Sequence, residues 1–212
     1  METITIGELA REQESHNGAA LVSFGKPLRR YQKSERDDEK TARERTYRRR
    51  RALNLRAMNP LYLSDELIDD AFLDERTPES GFTMEGDVIL ALTAPHPCVC
   101  IDEAHVGLFV PSSCAILRMD DALRERFDPW YLAGCLALPP VREQLRLKGG
   151  AGRLSQLTVE SICAASVPLA PIERQREAGR AVRTHARAMT ELAAIKQVHE
   201  QLVCAAVARA AC

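Results

Sequence analysis

The sequence predicts an α+β protein: one mixed α/β domain over residues 1–171, followed by a long C-terminal α-helix over 172–212 that pairs as a coiled coil. Three observations carry this. Apolar runs of strand type alternate with short capped helical stretches as far as Pro171. From Ile172 to about Ala210 there is no proline and one glycine, Gly179, and apolar residues recur at Ala178, Val182, Ala186, Met189, Leu192, Ile195, Val198, Leu202 and Ala206. Those steps of three and four make one stripe of a helix. Finally, 212 residues with 45% hydrophobic and 28% charged content is an ordinary globular balance, sized for one large domain and an appendage or for two small domains.

The elements follow in order. Residues 3–6 are a short β-rich run with Ile4 and Ile6 on a shared face. Residues 86–93 (GDVILALT) open on Gly86, run on without alternation and read as a buried strand. Residues 106–110 and 115–118 read as two more strands around the turn Pro111, Ser112, Ser113. Asp128 caps a helix with Pro129 at its first position, and Pro139 and Pro140 end it. A second short helix runs from Pro140 to Lys148 and stops at Gly149 and Gly150. After the loop GGAGRLSQ, Thr158 caps one more helical turn, and residues 166–169 are a last strand. The long helix, at about 1.5 Å per residue, spans roughly 58 Å, more than the preceding domain covers. It must pair with another helix. The chain has no internal repeat and no second helix of similar length, so the expected partner is another chain, met through Val182, Ala186, Met189, Leu192, Ile195 and Leu202.

No apolar run reaches the roughly 18–20 residues of a membrane helix. The start, METITIGELAREQESHNG, lacks a basic, then apolar, secretory pattern. The seven cysteines are scattered and read as reduced thiols, so the expected location is cytoplasmic. The net charge of −1 hides an asymmetry. Residues 26–56 carry Lys26, Arg29, Arg30, Lys33, Arg36, Lys40, Arg43, Arg45, Arg48, Arg49, Arg50, Arg51 and Arg56 against Glu35, Asp37, Asp38, Glu39 and Glu44. Residues 57–105 reverse the balance, with acids at positions such as Asp65, Asp69, Asp70, Asp74 and Glu75 and the single arginine Arg76. A block of like charge is a candidate phosphate-binding patch, and equally a solvated loop.

Catalytic constellations are weak. His96, Cys98, Cys100 and His105 are zinc-type ligands, but Cys-x-Cys lacks the usual spacing and no second pair follows; on a strand the two cysteines share a face and pack. No metal site is expected. Asn59, Pro60, Leu61 and Tyr62 brush against an amino-methyltransferase motif, yet no Gly-rich cofactor loop precedes them, and the expected structure is a turn before a helix. Asp38, Glu39 and Lys40 fit the tail of a nuclease motif inside a charge run, where such matches arise by chance. The stretch Gly149, Gly150, Ala151, Gly152, Arg153 is not a P-loop, although its amides, flanked by Lys148 and Arg153, suit a phosphate. The reading is a binding protein without catalytic residues.

Three stretches carry a family resemblance. Glu85, Gly86, Asp87, Val88, Ile89 and Leu90 look like a "GD-apolar-apolar" strand. The strand readings at 106–110 and 112–118, then Phe127, Asp128, Pro129, Trp130, Tyr131 and Leu132, follow the pattern of two strands, an acidic turn and "P-x-Y-L" opening a helix. Leu154 and Ser155, then Val167, Pro168, Leu169, Ala170, Pro171, Ile172, Glu173, Arg174 and Gln175, are similar to an "L-S … I-P-L-P-P-L-x-E-Q" junction into a long helix. Together these resemble the target-recognition domain of the DNA-specificity (S) subunit of type I restriction-modification systems, and Thr5 to Ala10 resembles the usual opening of such a domain.

The resemblance implies a non-catalytic chain that binds double-stranded DNA and recruits DNA adenine methyltransferase subunits along its helix. S-adenosylmethionine is then the cofactor of those partners, with none in this chain, and a motor-nuclease subunit joins in restriction-competent complexes. Full specificity subunits carry two recognition domains and two helices. This sequence has length for one of each, so it is a half-subunit that forms a homodimer, a fragment or a repurposed relative. The residues expected to face DNA are Arg29, Arg30, Lys33, Arg48, Arg49, Arg50, Arg51 and Arg56, with Lys148, Arg153 and Gln156 at the glycine loop. The arginines at 48–51 are expected to contact phosphates rather than bases. The rivals are a protein-interaction adaptor that no longer binds DNA, kept alive by the pI of about 6.5, and a small DNA-modifying enzyme.

Overall fold

The computed structural model describes residues 2–33, 46–148 and 156–210. In chain order the elements are β1 (Thr3–Thr5), α1 (Ile6–Asn17), β2 (Val22–Phe24), α2 (Leu28–Tyr31), β3 (Tyr47–Ala52), β4 (Met58–Asn59), β5 (Tyr62–Leu63), β6 (Asp69–Asp74), β7 (Val88–Ala91), β8 (Cys98–Cys100), β9 (Cys114–Leu117), α3 (Asp121–Arg126), α4 (Pro129–Ala137), α5 (Pro139–Lys148), α6 (Val159–Cys163), β10 (Ser166–Pro168) and α7 (Ile172–Ala210). Single 3-10 turns lie at Asp65–Leu67, Glu79–Gly81 and Glu103–His105.

A four-stranded antiparallel sheet, in the order β2-β9-β7-β8, is the centre. Every residue of β7, β8 and β9 is buried because both faces are covered. That is why β7 reads as an unbroken apolar run with no alternation. Val88, Leu90, Cys98, Cys100, Ala115 and Leu117 face a helical layer that includes Leu9 of α1, Leu123 of α3, Leu132 and Leu136 of α4 and Ile162 of α6. Ile89, Ala91, Val99 and Ile116 face Leu53, Ala57, Met58, Leu63, Leu108 and Val110. A small third cluster of Ala52, Ala71, Leu73 and Phe109 supports an antiparallel β3–β6 ribbon outside the main sheet.

Local chemistry explains the boundaries. Thr5 ends β1 by capping α1: its hydroxyl accepts from the Glu8 amide, and Glu8 accepts from the Thr5 amide. Ile6 is therefore the first residue of a helix and does not continue the strand with Ile4, as the β-rich composition suggested. Asp128 caps α4 through the Tyr131 amide at 2.8 Å, with Pro129 in the first turn. Thr158 caps α6 through Ser161. Residues 106–110 do not form a ladder strand. Their backbone is shared between neighbours: Phe109 donates to Arg51 and accepts from Leu53, and Val110 donates to Gly81. This segment is the seam between ribbon and sheet.

The "GD" pair preceding β7 is structural. Gly86 sits at φ 80, and a Cβ there would meet the Arg124 guanidinium at 3.1 Å. Asp87 is fully buried and takes a two-pronged contact from Arg118 at 2.8 and 2.6 Å, as well as the Met84 amide at 2.7 Å. That hydrogen bonding to Asp87 holds the Arg118 guanidinium protonated still more firmly than usual. No helix among the described residues is long and apolar enough to cross a membrane.

Candidate nucleic-acid interface

The arginine run becomes β3, and strand geometry splits it. Successive side chains point to opposite faces. Arg48 and Arg50 lie opposite Leu73 and Ala71 on the inner face; Arg49 and Arg51 lie opposite Phe72 and Asp70 on the outer face. The partner strand β6 comes from the acidic stretch, so the two oppositely charged blocks meet. Arg49 bonds Asp70 at 2.5 Å, Arg51 bonds Asp65 at 2.8 Å, Arg48 pairs with Glu75, and Arg56 lies 4.0 Å from Asp69. Arg50 rests over the Phe82 ring at 5.9 Å.

Proton affinities follow the pairing. The bond to Arg49 is the main cause holding the Asp70 carboxyl below its usual range, and it raises Arg49 in turn. Partial burial opposes ionisation of Asp65, but hydrogen bonds from Arg51 and His105 and the charges of both overcome it, and its carboxyl is also lowered. The expected phosphate patch is thus largely neutralised within the ribbon. Exposed pairs of this kind add little stability individually, but they fix where the guanidinium groups sit.

Arg29, Arg30 and Lys33 are exposed, and none has an ion pair among the described residues. Arg29 and Arg30 belong to α2, whose Leu28 and Tyr31 pack on the Phe109 cluster. Gln32 then bridges to Leu73, and the Lys33 amide donates to Phe72. The structure therefore gathers both ends of the basic segment around β6, with Gln32 and Lys33, just past α2, along one edge and β3 along the other. Lys148 ends α5, and its ammonium bonds the Ala164 carbonyl; Gln156 is exposed. Arg153, most of the glycine loop, and Asp38, Glu39 and Lys40 lie outside the described residues.

The helix stripe is also divided. Near its start α7 is clamped onto α4. Gln175, 1% exposed, donates to the Ala170 carbonyl at 2.7 Å and accepts from the Asp128 amide at 3.0 Å. A Cβ on Gly179 would lie 2.2 Å from Asp128 Oδ1, so the one glycine of the helix marks its closest crossing. Arg183 stacks over Trp130 at 5.7 Å, and Thr190 bonds the Leu63 carbonyl at 2.9 Å. Consequently Ala186 is buried and Val182 half-buried against this chain's own domain. Those two residues of the expected pairing stripe are covered within the chain. Met189 is half-buried, while Leu192, Ile195 and Leu202 are exposed, at 56%, 65% and 63%. They are joined by exposed Val198, Val203 and Val207.

The other motifs resolve into packing. Cys98 and Cys100 share one face of β8, and burial pushes the Cys98 thiol up to about 12. His96 points to the Ala91 carbonyl, whereas His105 lies between Asp102 at 2.5 Å and Asp65 at 2.9 Å. The four do not converge, and among the described residues no group of three His, Cys, Asp or Glu side chains suits a metal. Asn59, Pro60, Leu61 and Tyr62 form the tip of the β4–β5 hairpin, with Leu61 at φ 71; the expected helix after this turn is a strand, followed by a single 3-10 turn.

No family model matches the sequence, and neither does any curated protein. Solved structures do match. The HsdS subunit from Thermoanaerobacter tengcongensis aligns with a TM-score of 0.52 and 18% identity, over 95% of this chain and 47% of that one. A chain from a type I R-M system aligns with a TM-score of 0.52 and 13% identity, over 95% of this chain and 43% of that one. The chain thus spans about half the length of these two structures. At such identities the likeness is one of fold, and it agrees with the resemblance read from residues 84–175. The protein has the fold of about half of an HsdS specificity subunit: one α+β domain with a long helix leading away from it.

Proposed function

We propose that this chain is a sequence-specific DNA-recognition subunit of a type I-like restriction-modification or methyltransferase complex. It is not itself catalytic and positions partner methyltransferase subunits, which carry S-adenosylmethionine, on a bipartite DNA site. The observation that carries this reading is the fold match over nearly the whole chain to half of an HsdS subunit. Two further features support it. The basic segment is displayed on an outlying ribbon and on α2, where it meets solvent. The distal part of α7 carries an apolar stripe that none of the described residues covers, which suits pairing with the helix of a second copy. Two-fold pairing of this kind puts one recognition domain at each end, so each half of the DNA site is read by one copy.

Salt-titrated binding of the purified chain to duplex DNA is the test. The reading expects affinity that falls log-linearly with salt, as charge-driven contact to phosphate requires. Absence of DNA binding at low salt, with and without the cognate methyltransferase, refutes it. One observation favours a second reading, that of a protein-interaction adaptor. Asp70 of β6, with Asp65 and Glu75 on either side of that strand, neutralises much of β3, leaving fewer open cations than the sequence suggests. The same titration separates the two, since an adaptor has no salt-dependent DNA binding.

A further inference from the structure

We propose that the outer face of the β3–β6 ribbon reads base edges in the DNA major groove, with Arg49, Asp70 and Phe72 as the specificity-determining residues. The inference rests on the reading of the chain as a DNA-recognition subunit and names the surface that discriminates sequence.

Arg49 is directly opposite Phe72, and Arg51 is directly opposite Asp70, on the face turned away from the Phe109 cluster. Phe72 is 55% exposed there, while its strand neighbours Ala71 and Leu73 are buried beneath the ribbon. Its ring therefore contributes little to the core. Arg49 reaches diagonally to Asp70 at 2.5 Å through one nitrogen. A guanidinium has five N–H donors, so most remain open, and the carboxylate keeps the fork from sweeping through solvent. Arg51 is drawn off to Asp65 at the base of the ribbon, which leaves Arg49 as the outward cation.

Charge then decides which part of DNA this face suits. Phosphate contact is driven by net positive charge and counterion release. Here Asp70 offsets Arg49, so the attraction for phosphate is small. Base edges instead call for a donor fork, an acceptor and an apolar group at fixed spacing. Arginine matches guanine O6 and N7, a carboxylate matches the cytosine amino group, and an aromatic ring packs on the thymine methyl. All three chemistries lie within two residue steps on one face. The dimensions agree: strands about 5 Å apart fit a groove about 12 Å wide, and a six-residue strand spans roughly 20 Å, or about six base-pair steps. Lys33 lies beside β6, with Arg29 and Arg30 one turn before it on α2; none of the three has an ion pair among the described residues, and they supply the phosphate contacts that a groove-inserted ribbon needs.

The experiment uses the full chain and a pool of duplexes with a randomised core, selected by binding and sequenced. In parallel, affinity for a single non-cognate duplex is titrated with salt. The wild type is expected to enrich a motif. Arg49→Lys keeps the charge but loses the fork, and Phe72→Ala removes the ring from an exposed site. Each is expected to enrich the same motif with one position made degenerate, its preference there falling about 5- to 150-fold. Non-cognate affinity and its salt slope should stay as in the wild type. If both variants enrich the unchanged motif, the inference fails and the DNA-recognition reading stands. If non-cognate binding weakens with a shallower salt slope, Arg49 is a phosphate contact and the inference fails in that way. If the wild type enriches nothing, with or without the cognate methyltransferase, the parent reading fails with it. Equal thermal midpoints of variants and wild type confirm that the fold is intact in each comparison.

Discussion

Gly179→Ala tests the crossing that fixes α7 on the domain. In an isolated helix this change stabilises by about 1 kcal/mol. Here the new Cβ would fall 2.2 Å from Asp128 Oδ1 and 3.2 Å from the Trp130 Cβ, so something must move. The Asp128 carboxylate is the cap of α4, bonded to the Tyr131 amide. Displacing it costs about 1 kcal/mol of capping, and local overpacking adds about 1–3 kcal/mol. Set against the gain in propensity, the expected net destabilisation is about 2 kcal/mol. At about 2–4 °C per kcal/mol for a chain of this size, the midpoint drops about 4–8 °C. Thermal unfolding by circular dichroism or calorimetry measures it. A double-mutant cycle sharpens the test: Asp128→Ala clears the carboxylate, so adding Gly179→Ala to it should cost far less than Gly179→Ala alone. A neutral or stabilising Gly179→Ala, or strict additivity in the cycle, refutes the close crossing.

Other outcomes follow from the same geometry. Arg118→Met should destabilise by about 3 kcal/mol or more in denaturant titration, because it leaves the fully buried Asp87 carboxylate without its cation. Asp65 and Asp70 have depressed folded-state pKa values, so their pairs with Arg51 and Arg49 contribute stability above the unfolded carboxylate value of about 4 and lose it as pH falls through the folded values. The Asp65→Asn, Asp70→Asn variant should therefore show a shallower loss of thermal midpoint between neutral and strongly acid pH than the wild type. Changing Arg29, Arg30 and Lys33 together to alanine should flatten the salt dependence of DNA binding by about 0.9 in log–log slope for each phosphate no longer neutralised, equally for all sequences. Leu192→Asp with Ile195→Asp places carboxylates on the exposed distal stripe. Sedimentation should find a dimer in the wild type and a monomer in the variant, since burying unpaired carboxylates is costly. A monomeric wild type would sink the pairing proposal.

Features encoded by local chemistry are readable from the amino-acid order alone. The caps at Asp128 and Thr158, the doubly buried strand β7 and the helix Ile172–Ala210 are written in a few adjacent residues or in an uninterrupted period, so they were legible without a structure. The α1 helix was hidden because Thr3, Ile4 and Thr5 favour strand, while the capping box that starts the helix lies across their end. The arginine ribbon could not be read at all: an unalternating YRRRRA carries no strand period, and the β4–β5 hairpin and a 3-10 turn separate it from its partner β6. Only the tertiary fold decided that the acidic stretch lies against the basic one, splitting four consecutive arginines between two faces and leaving Arg49 beside an exposed Phe72. It likewise decided that Val182 and Ala186 belong to the domain and that the free stripe begins near Leu192. A helical period states which residues share a face, but the surface that covers the face is set by α4 and β5, which reach it from distant parts of the chain.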